Sequence, residues 1–248
     1  MTISRRNYGK GHSYKIDGET VPGVTTLINQ GLPKPALPYW SARTVAEYVA
    51  DADNETLEAL RSLGRSGMVA ALKETPWGKR DTAAKRGTEV HTLAEKLVHG
   101  EEIDVPEELA GHVDSYVKFL DEWKPEPVLV EAVVGSRKWR YCGTLDLVCT
   151  LPDGRTVLMD VKTSASGIWP ETAYQLSAYR YAEVYLDGGA ETPMVDVDAG
   201  YAIWVRADGY DVIPVRCDEP VFKDFLHIAW TAKAVDRNKQ LIGEAVRP

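Results

Sequence analysis

The sequence predicts an α/β fold, in which a central β-sheet is flanked by helices and preceded by a mainly helical N-terminal extension. Three observations lead there. Two stretches with a period of two, 143–148 and 157–163, are joined by Pro152-Asp153-Gly154. Long amphipathic stretches stand on either side of that pair. A second pair of strand-like stretches surrounds Asp208-Gly209. The expected division is an extension over 1–80, packed on a core over 81–248.

The pair around Pro152-Asp153-Gly154 carries the most information. A three-residue hairpin loop ends on a left-handed residue, which suits Gly154, and proline suits its first position because its φ is preset. This loop sets Leu151 opposite Arg155 and, counting outward, Asp146 opposite Asp160. Alternation then gives Lys162 the same face as Asp160. The other face reads Leu145, Leu147, Cys149, Leu151, Val157, Met159 and Val161, all apolar. Like charges facing each other across a sheet repel. A hard divalent cation turns that repulsion into ligation. The same hairpin is also compatible with a plain wet face whose acids sit at solvated strand ends.

The bulk composition sets bounds. The chain has 248 residues, 44% hydrophobic and 27% charged, as in an ordinary globular protein. No apolar run is long enough to span a membrane, and Met1-Thr2-Ile3-Ser4-Arg5-Arg6 has no signal-peptide pattern. A cytoplasmic protein without a membrane partner is expected. The three cysteines, Cys142, Cys149 and Cys217, offer neither a disulfide framework nor a four-cysteine site. A net charge of −8 argues against non-specific coating of nucleic acid, whose affinity rests on cations at phosphates. It leaves room for a carboxylate-rich active site.

In chain order, 8–16 alternates toward a hairpin turn at Asp17-Gly18, and a short helix follows near 21–28. Prolines make 31–38 an extended connection. Helices are expected over 40–50, 53–63 and, briefly, 68–73. Asp81 or Thr82 caps a helix over 82–99, on which Gly87 and His91 share a side. A glycine inside a helix costs about 1 kcal/mol relative to alanine and suggests a close backbone approach. A further helix over 107–123 turns Leu109, Val113, Val117 and Leu120 inward. Then come a strand over 128–134 interrupted by Glu131, a basic and aromatic connection over 135–141, and a helix over 170–186. Two strands over 200–206 and 210–216 and a helix over 219–240 complete the chain.

Four short motifs run through this order. They are Gly87-Thr88-Glu89-Val90-His91, Gly143-Thr144-Leu145-Asp146, Asp160-Val161-Lys162 and Gln175-Leu176-Ser177-Ala178-Tyr179. In type and order they resemble the PD-(D/E)XK nuclease superfamily, in its RecB-like branch with the phage exonucleases and the CRISPR-associated RecB-like exonucleases. The likeness covers about 87–179. It implies a restriction-endonuclease-like core with a mixed sheet, and a metal-dependent DNA exonuclease. Recombination or DNA end processing in a phage or mobile element is the implied setting, with DNA and a single-strand annealing or recombination protein as partners. A structure-specific endonuclease, or a DNA-binding protein that has lost cleavage, are the alternatives.

The resemblance also implies roles. Asp146 and Asp160 would be the central metal ligands, joined by His91 and the Val161 carbonyl, with Glu131 reaching a second ion. Lys162 would orient the attacking water and stabilise charge on the phosphorane, while Gln175 and Tyr179 would position the strand and the lysine. One or two Mg2+ or Mn2+ ions would serve as cofactor, with histidine favouring manganese. The iron–sulfur members of this branch need four cysteines, so no iron–sulfur cluster is expected. No Gly-x-x-x-x-Gly-Lys-Ser/Thr phosphate loop is present either. Lys79, Arg80, Lys85, Arg86, Arg137, Lys138, Trp139 and Arg140 are candidate DNA contacts. Among these, Lys85 and Arg86 stand out because a helix start beside the metal suits a phosphate.

Overall fold

The computed structural model describes residues 2–9, 11–99, 105–238 and 241–246, and the side chains of residues 79, 80, 83 and 236 fall outside that description. Lys79 and Arg80 therefore lie among the side chains left undescribed. The chain forms two compact units, Met1–Leu32 with Val90–Pro248, and Pro33–Glu89. Their boundaries differ from a division at residue 80, because the first 32 residues belong with the sheet.

The larger unit begins with β1 (Ile3–Tyr8), β2 (Gly11–Ile16) and β3 (Glu19–Val21), a three-stranded antiparallel sheet. Asp17 and Gly18 make its second turn in left-handed conformations, φ 53° and 84°, as the sequence suggested. Helix α1 (Val24–Gly31) follows.

The smaller unit holds α2 (Ala36–Asp51), α3 (Asn54–Ser62) and the greater part of α4 (Gly64–Val98). Asp53 caps α3, its carboxylate accepting from the Thr56 N–H at 2.8 Å. The start expected at Asp81 or Thr82 is not a helix start. Helix α4 runs through Pro76 without ending, and Thr82 donates its hydroxyl to the Gly78 carbonyl at 3.0 Å. That back-bond is typical of a threonine inside a helix rather than at its cap.

The rest of the larger unit comprises α5 (Ala110–Trp123), β4 (Glu126–Ser136), β5 (Tyr141–Thr150), β6 (Thr156–Lys162) and α6 (Glu171–Arg180). Then come β7 (Val184–Asp187), β8 (Ala190–Pro193), β9 (Ala199–Arg206), β10 (Gly209–Val215) and α7 (Glu219–Asn238). The strands from β4 onward form one seven-stranded sheet, ordered β10-β9-β6-β5-β4-β7-β8. Strands β6 and β9 pair in parallel and their neighbours antiparallel, so the sheet is mixed and the fold is α/β.

Helices cover both faces. On one, Leu27, Leu176 and Phe225 of α1, α6 and α7 pack with Val134, Tyr141 and Leu158. Gly31 lets α1 and α7 close up, since a Cβ there would stand 2.0 Å from the Ile228 carbonyl oxygen. On the other face, Ala94 of α4 and Phe119 of α5 pack with Leu147, Met159, Val161 and Ile203. The buried stripe of α5 centres on Tyr116 and Phe119 rather than on Val117 and Leu120, because Phe119 nests against Trp123 and Tyr210.

One long helix is shorter than its pattern. Helix α6 stops at Arg180, and 184–187 turns into β7 at the edge of β4. The cause is tertiary. Glu183 donates its N–H to the Gly135 carbonyl at 2.9 Å, and its carboxylate accepts from Ser136 Oγ and from the N–H groups of Arg137 and Lys138. Gly188 and Gly189 then form the β7–β8 turn at φ 54° and 89°. Cys142, Cys149 and Cys217 are free and buried, each in a different apolar cluster.

Candidate metal and active site

The β5–β6 hairpin has the register its loop chemistry dictates. Leu151 and Arg155 close the loop through a 2.9 Å backbone bond, Gly154 takes φ 85°, and the ladder runs from Thr150↔Thr156 to Leu147↔Met159. At the next step, where Asp146 and Asp160 would pair, the ladder opens. The Asp146 carboxylate takes the place of a strand partner and accepts the Val161 N–H at 2.8 Å.

The neighbouring strand breaks at the same level. Glu131 sits in the left-handed region at φ 46°. A non-glycine residue held there costs on the order of 1–3 kcal/mol, and such strain concentrates at functional sites. Alternation changes phase across the break. Val130 and Leu147 pack toward α5, whereas Ala132 and Leu145 pack toward the α1, α6 and α7 face. Leu145 therefore does not share a face with Leu147, as unbroken alternation would require.

The break brings three ligand-type side chains together. His91 on α4 holds its Nδ1 3.4 Å from Asp146 Oδ2 and 3.9 Å from Glu131 Oε1. One donor atom from each of the three lies within 4.8 Å of the other two. All are partly buried, with side-chain exposures of 29% for His91, 28% for Glu131 and 13% for Asp146. They line a pocket of about 10 Å³, close to the room one water-sized species needs, with Val161 in its wall. Attraction to Asp146 lifts the His91 pKa to about 9 against the opposing effect of burial, with help from a hydrogen bond to Glu131.

Asp160 belongs to a second group. It is 1% exposed. Gln175 Nε2 donates to its Oδ1 at 3.0 Å, and Lys162 Nζ lies 2.5 Å from its Oδ2. That close approach is a buried ion pair. Burial raises the Asp160 pKa, and the Lys162 charge offsets part of the rise. Burial also works against the Lys162 ammonium, but Asp160 and Asp146 prevail and hold its pKa above the ordinary value. Lys162 Nζ donates to Gln175 Oε1 at 3.2 Å, and Gln175 Nε2 donates to Tyr179 Oη at 3.2 Å. Burial puts the Tyr179 pKa far above its usual range, so the phenol stays neutral. Gly143 is required by this packing, because a Cβ there would stand 2.5 Å from Tyr179 Cε1.

The donor chemistry fits a divalent cation. Two carboxylates and an imidazole within 4.8 Å suit a small hard or borderline metal. Asp160 Oδ2, held by the Lys162 ammonium, is a further carboxylate oxygen on the next strand. Sequence reasoning gave Asp160 the central ligand role and Glu131 an outer one. The structure gathers Glu131 with His91 and Asp146, and turns Asp160 toward Lys162 and Gln175.

The candidate DNA-binding residues are placed otherwise. Arg137 makes a two-pronged ion pair with Glu191 at 2.7 Å and reaches Asp17, while Arg140 pairs with Glu19. Lys138 stands over the Trp139 ring, 4.9 Å from its centre. All four lie just before β5, whose first residue precedes Asp146 by roughly 17 Å of strand. Lys85 pairs with Glu89 at 3.5 Å, and Lys85 and Arg86 sit mid-helix rather than at a helix start.

Other residues escaped the sequence. Glu95 and Tyr116 line the small pocket. Glu95 follows His91 by four residues and so shares its helix side, a spacing that could have found it. Thr144 accepts from Arg5 at 3.2 Å and bonds the Tyr14 hydroxyl at 2.9 Å, tying the N-terminal sheet to the Asp146 strand.

No protein family's profile and no curated protein matches this chain. Among solved structures, a crystal structure of SSO0001 is 12% identical, covers 85% of this chain and 88% of its own, and superposes with a TM-score of 0.28. A likeness this slight carries no argument. Among the described residues, no helix is long and apolar enough to cross a membrane.

Proposed function

We propose that this chain is a metal-dependent deoxyribonuclease of the PD-(D/E)XK type, acting as an exonuclease on DNA ends. The observation that carries the reading is the convergence of His91, Glu131 and Asp146 within 4.8 Å beside the buried Asp160–Lys162–Gln175 network. The first group would hold magnesium or manganese, which would supply Lewis acidity and an activated water.

The chain's own residues do the rest. Lys162 keeps its proton and presents positive charge where the phosphorane develops excess negative charge. Asp160 holds that ammonium from one side and Gln175 from the other. Tyr179 fixes Gln175, so the amide cannot swing away from both partners. Asp146 ties its carboxylate to the Val161 N–H and so keeps its orientation. A role in recombination or end processing of a phage or mobile element, beside a single-strand annealing or recombination protein, follows from the resemblance of the four motifs.

The test is hydrolysis of linear, closed-circular duplex and single-stranded circular DNA in Mg2+ or Mn2+, beside His91→Ala and Lys162→Ala. Degradation confined to linear DNA, with each variant down by at least about 10²-fold, supports the exonuclease. Cutting of circles makes it an endonuclease. Full activity in Lys162→Ala overturns the assignment of roles, and tight DNA binding without hydrolysis returns the chain to a binding protein.

A further inference from the structure

A second cavity has Lys162 and Gln175 in its lining. It measures about 220 Å³, and Ile28, Ile168, Trp169 and Glu171 line it as well. This is less than the roughly 300–1,000 Å³ of a pocket for a whole drug-sized ligand, and it suits one flat group. Trp169 leaves 51% of its surface exposed. It is nonetheless held, since its Nε1 donates to Ser166 Oγ at 3.2 Å and the Ser164 carbonyl accepts from Trp204 Nε1 at 2.7 Å. An aromatic face kept in water on a pinned loop is prepared for a stacking partner.

We propose that this cleft takes one unpaired nucleobase, from the nucleotide adjoining the bond cut at Lys162, with Trp169 as its stacking face. The proposal rests on the nuclease reading above and adds the substrate class. A phosphate does not suit the cleft. Lys162, the one cation among the described residues lining it, is given above to the scissile phosphate, while Glu171 is acidic. A base does suit it, since Trp169, Ile28 and Ile168 offer apolar surface to its faces. A base inside a duplex has both faces covered by its neighbours. The cleft therefore selects a single strand or a frayed end, which agrees with end-loading.

The test uses the full chain with a single-stranded oligonucleotide carrying 2-aminopurine, titrated in EDTA so that the strand stays intact. Fluorescence reports stacking and binding together. Wild-type protein should quench the probe. Trp169→Ala should bind about tenfold more weakly and lose the quench, while Trp169→Phe should stay within about threefold. Trp230→Ala, which removes a tryptophan 67% exposed on α7, is the control and should match wild type. In Mn2+, Trp169→Ala should raise KM on single strands with kcat little changed. Equal binding and quench in Trp169→Ala and wild type overturn the cleft assignment even if DNA is cleaved. No cleavage by wild type overturns the nuclease reading, and the EDTA titration then decides the cleft on its own.

Discussion

The two halves of the candidate site are neighbours in the fold and opposite in construction. Asp160, Lys162, Gln175 and Tyr179 hold one another through an ion pair and hydrogen bonds deep in the sheet. His91, Glu131 and Asp146 sit partly buried around a small space, with acid facing acid and one residue in a strained backbone conformation. The first group is complete as a piece of protein. The second sets two carboxylates around His91, whose charged form Asp146 favours. This contrast says which substitutions should damage the fold and which should damage only metal binding.

The largest effect is expected on the complete side. Asp160→Ala leaves the Lys162 ammonium without its partner. Breaking a buried pair costs roughly 3–5 kcal/mol, and the lower end applies because the Lys162 side chain keeps 28% exposure. Chemical denaturation without metal should therefore show a loss of about 3 kcal/mol. A loss below about 0.5 kcal/mol would mean that the pair is not structural.

The metal-dependent effect comes next and should divide the two groups. At a hundredfold excess over its dissociation constant, Mn2+ should add about 2.7 kcal/mol to wild-type stability. The same gain is expected in Gln175→Ala, and none in His91→Ala or in Asp146→Asn. Denaturation curves with and without Mn2+ measure it. An undiminished gain in His91→Ala would remove that residue from the metal site.

Gly143→Ala probes the packing that joins the halves. The added Cβ would meet the Tyr179 ring at 2.5 Å and Val24 Cγ2 at 3.2 Å, in a region with no slack. Overpacking of this kind costs about 1–3 kcal/mol. Activity should fall further than stability alone explains, because Tyr179 is the support for Gln175. Paired measurements of stability and hydrolysis would separate the two losses. A variant as stable and active as wild type would show that the ring is free to move.

How much of this was legible beforehand depends on whether the signal is local. The hairpin register came from the loop residues alone, since Pro152-Asp153-Gly154 and a period of two leave little freedom. That Lys162 lies beside Asp160 followed from the same period. What escaped were features set by distant partners. Helix α6 ends early because Glu183 is captured by Ser136, Arg137 and Lys138. Arg137 looked like a DNA contact, but Glu191, remote in sequence, already occupies it. The face of Leu145 changed because two strands break together, and no pattern within either strand announces that.

Glu131 gives the smallest and most discriminating prediction. Its φ of 46° belongs to the region where glycine is at ease and a side chain is not. Glu131 stands between Val130 and Ala132, which pack on opposite faces of the sheet, and its side chain reaches His91. Glu131→Gly should relieve that conformation and, after the entropy of the added glycine in the unfolded chain is subtracted, leave the metal-free protein up to about 1 kcal/mol more stable. The same variant should lose most of the Mn2+-dependent gain, because only His91 and Asp146 of the triad remain. A more stable protein that binds metal worse is the pattern of a residue kept for function against the fold's own preference. If Glu131→Gly instead lowers metal-free stability and leaves the Mn2+ gain intact, Glu131 is a structural residue and the cation belongs nearer Asp160.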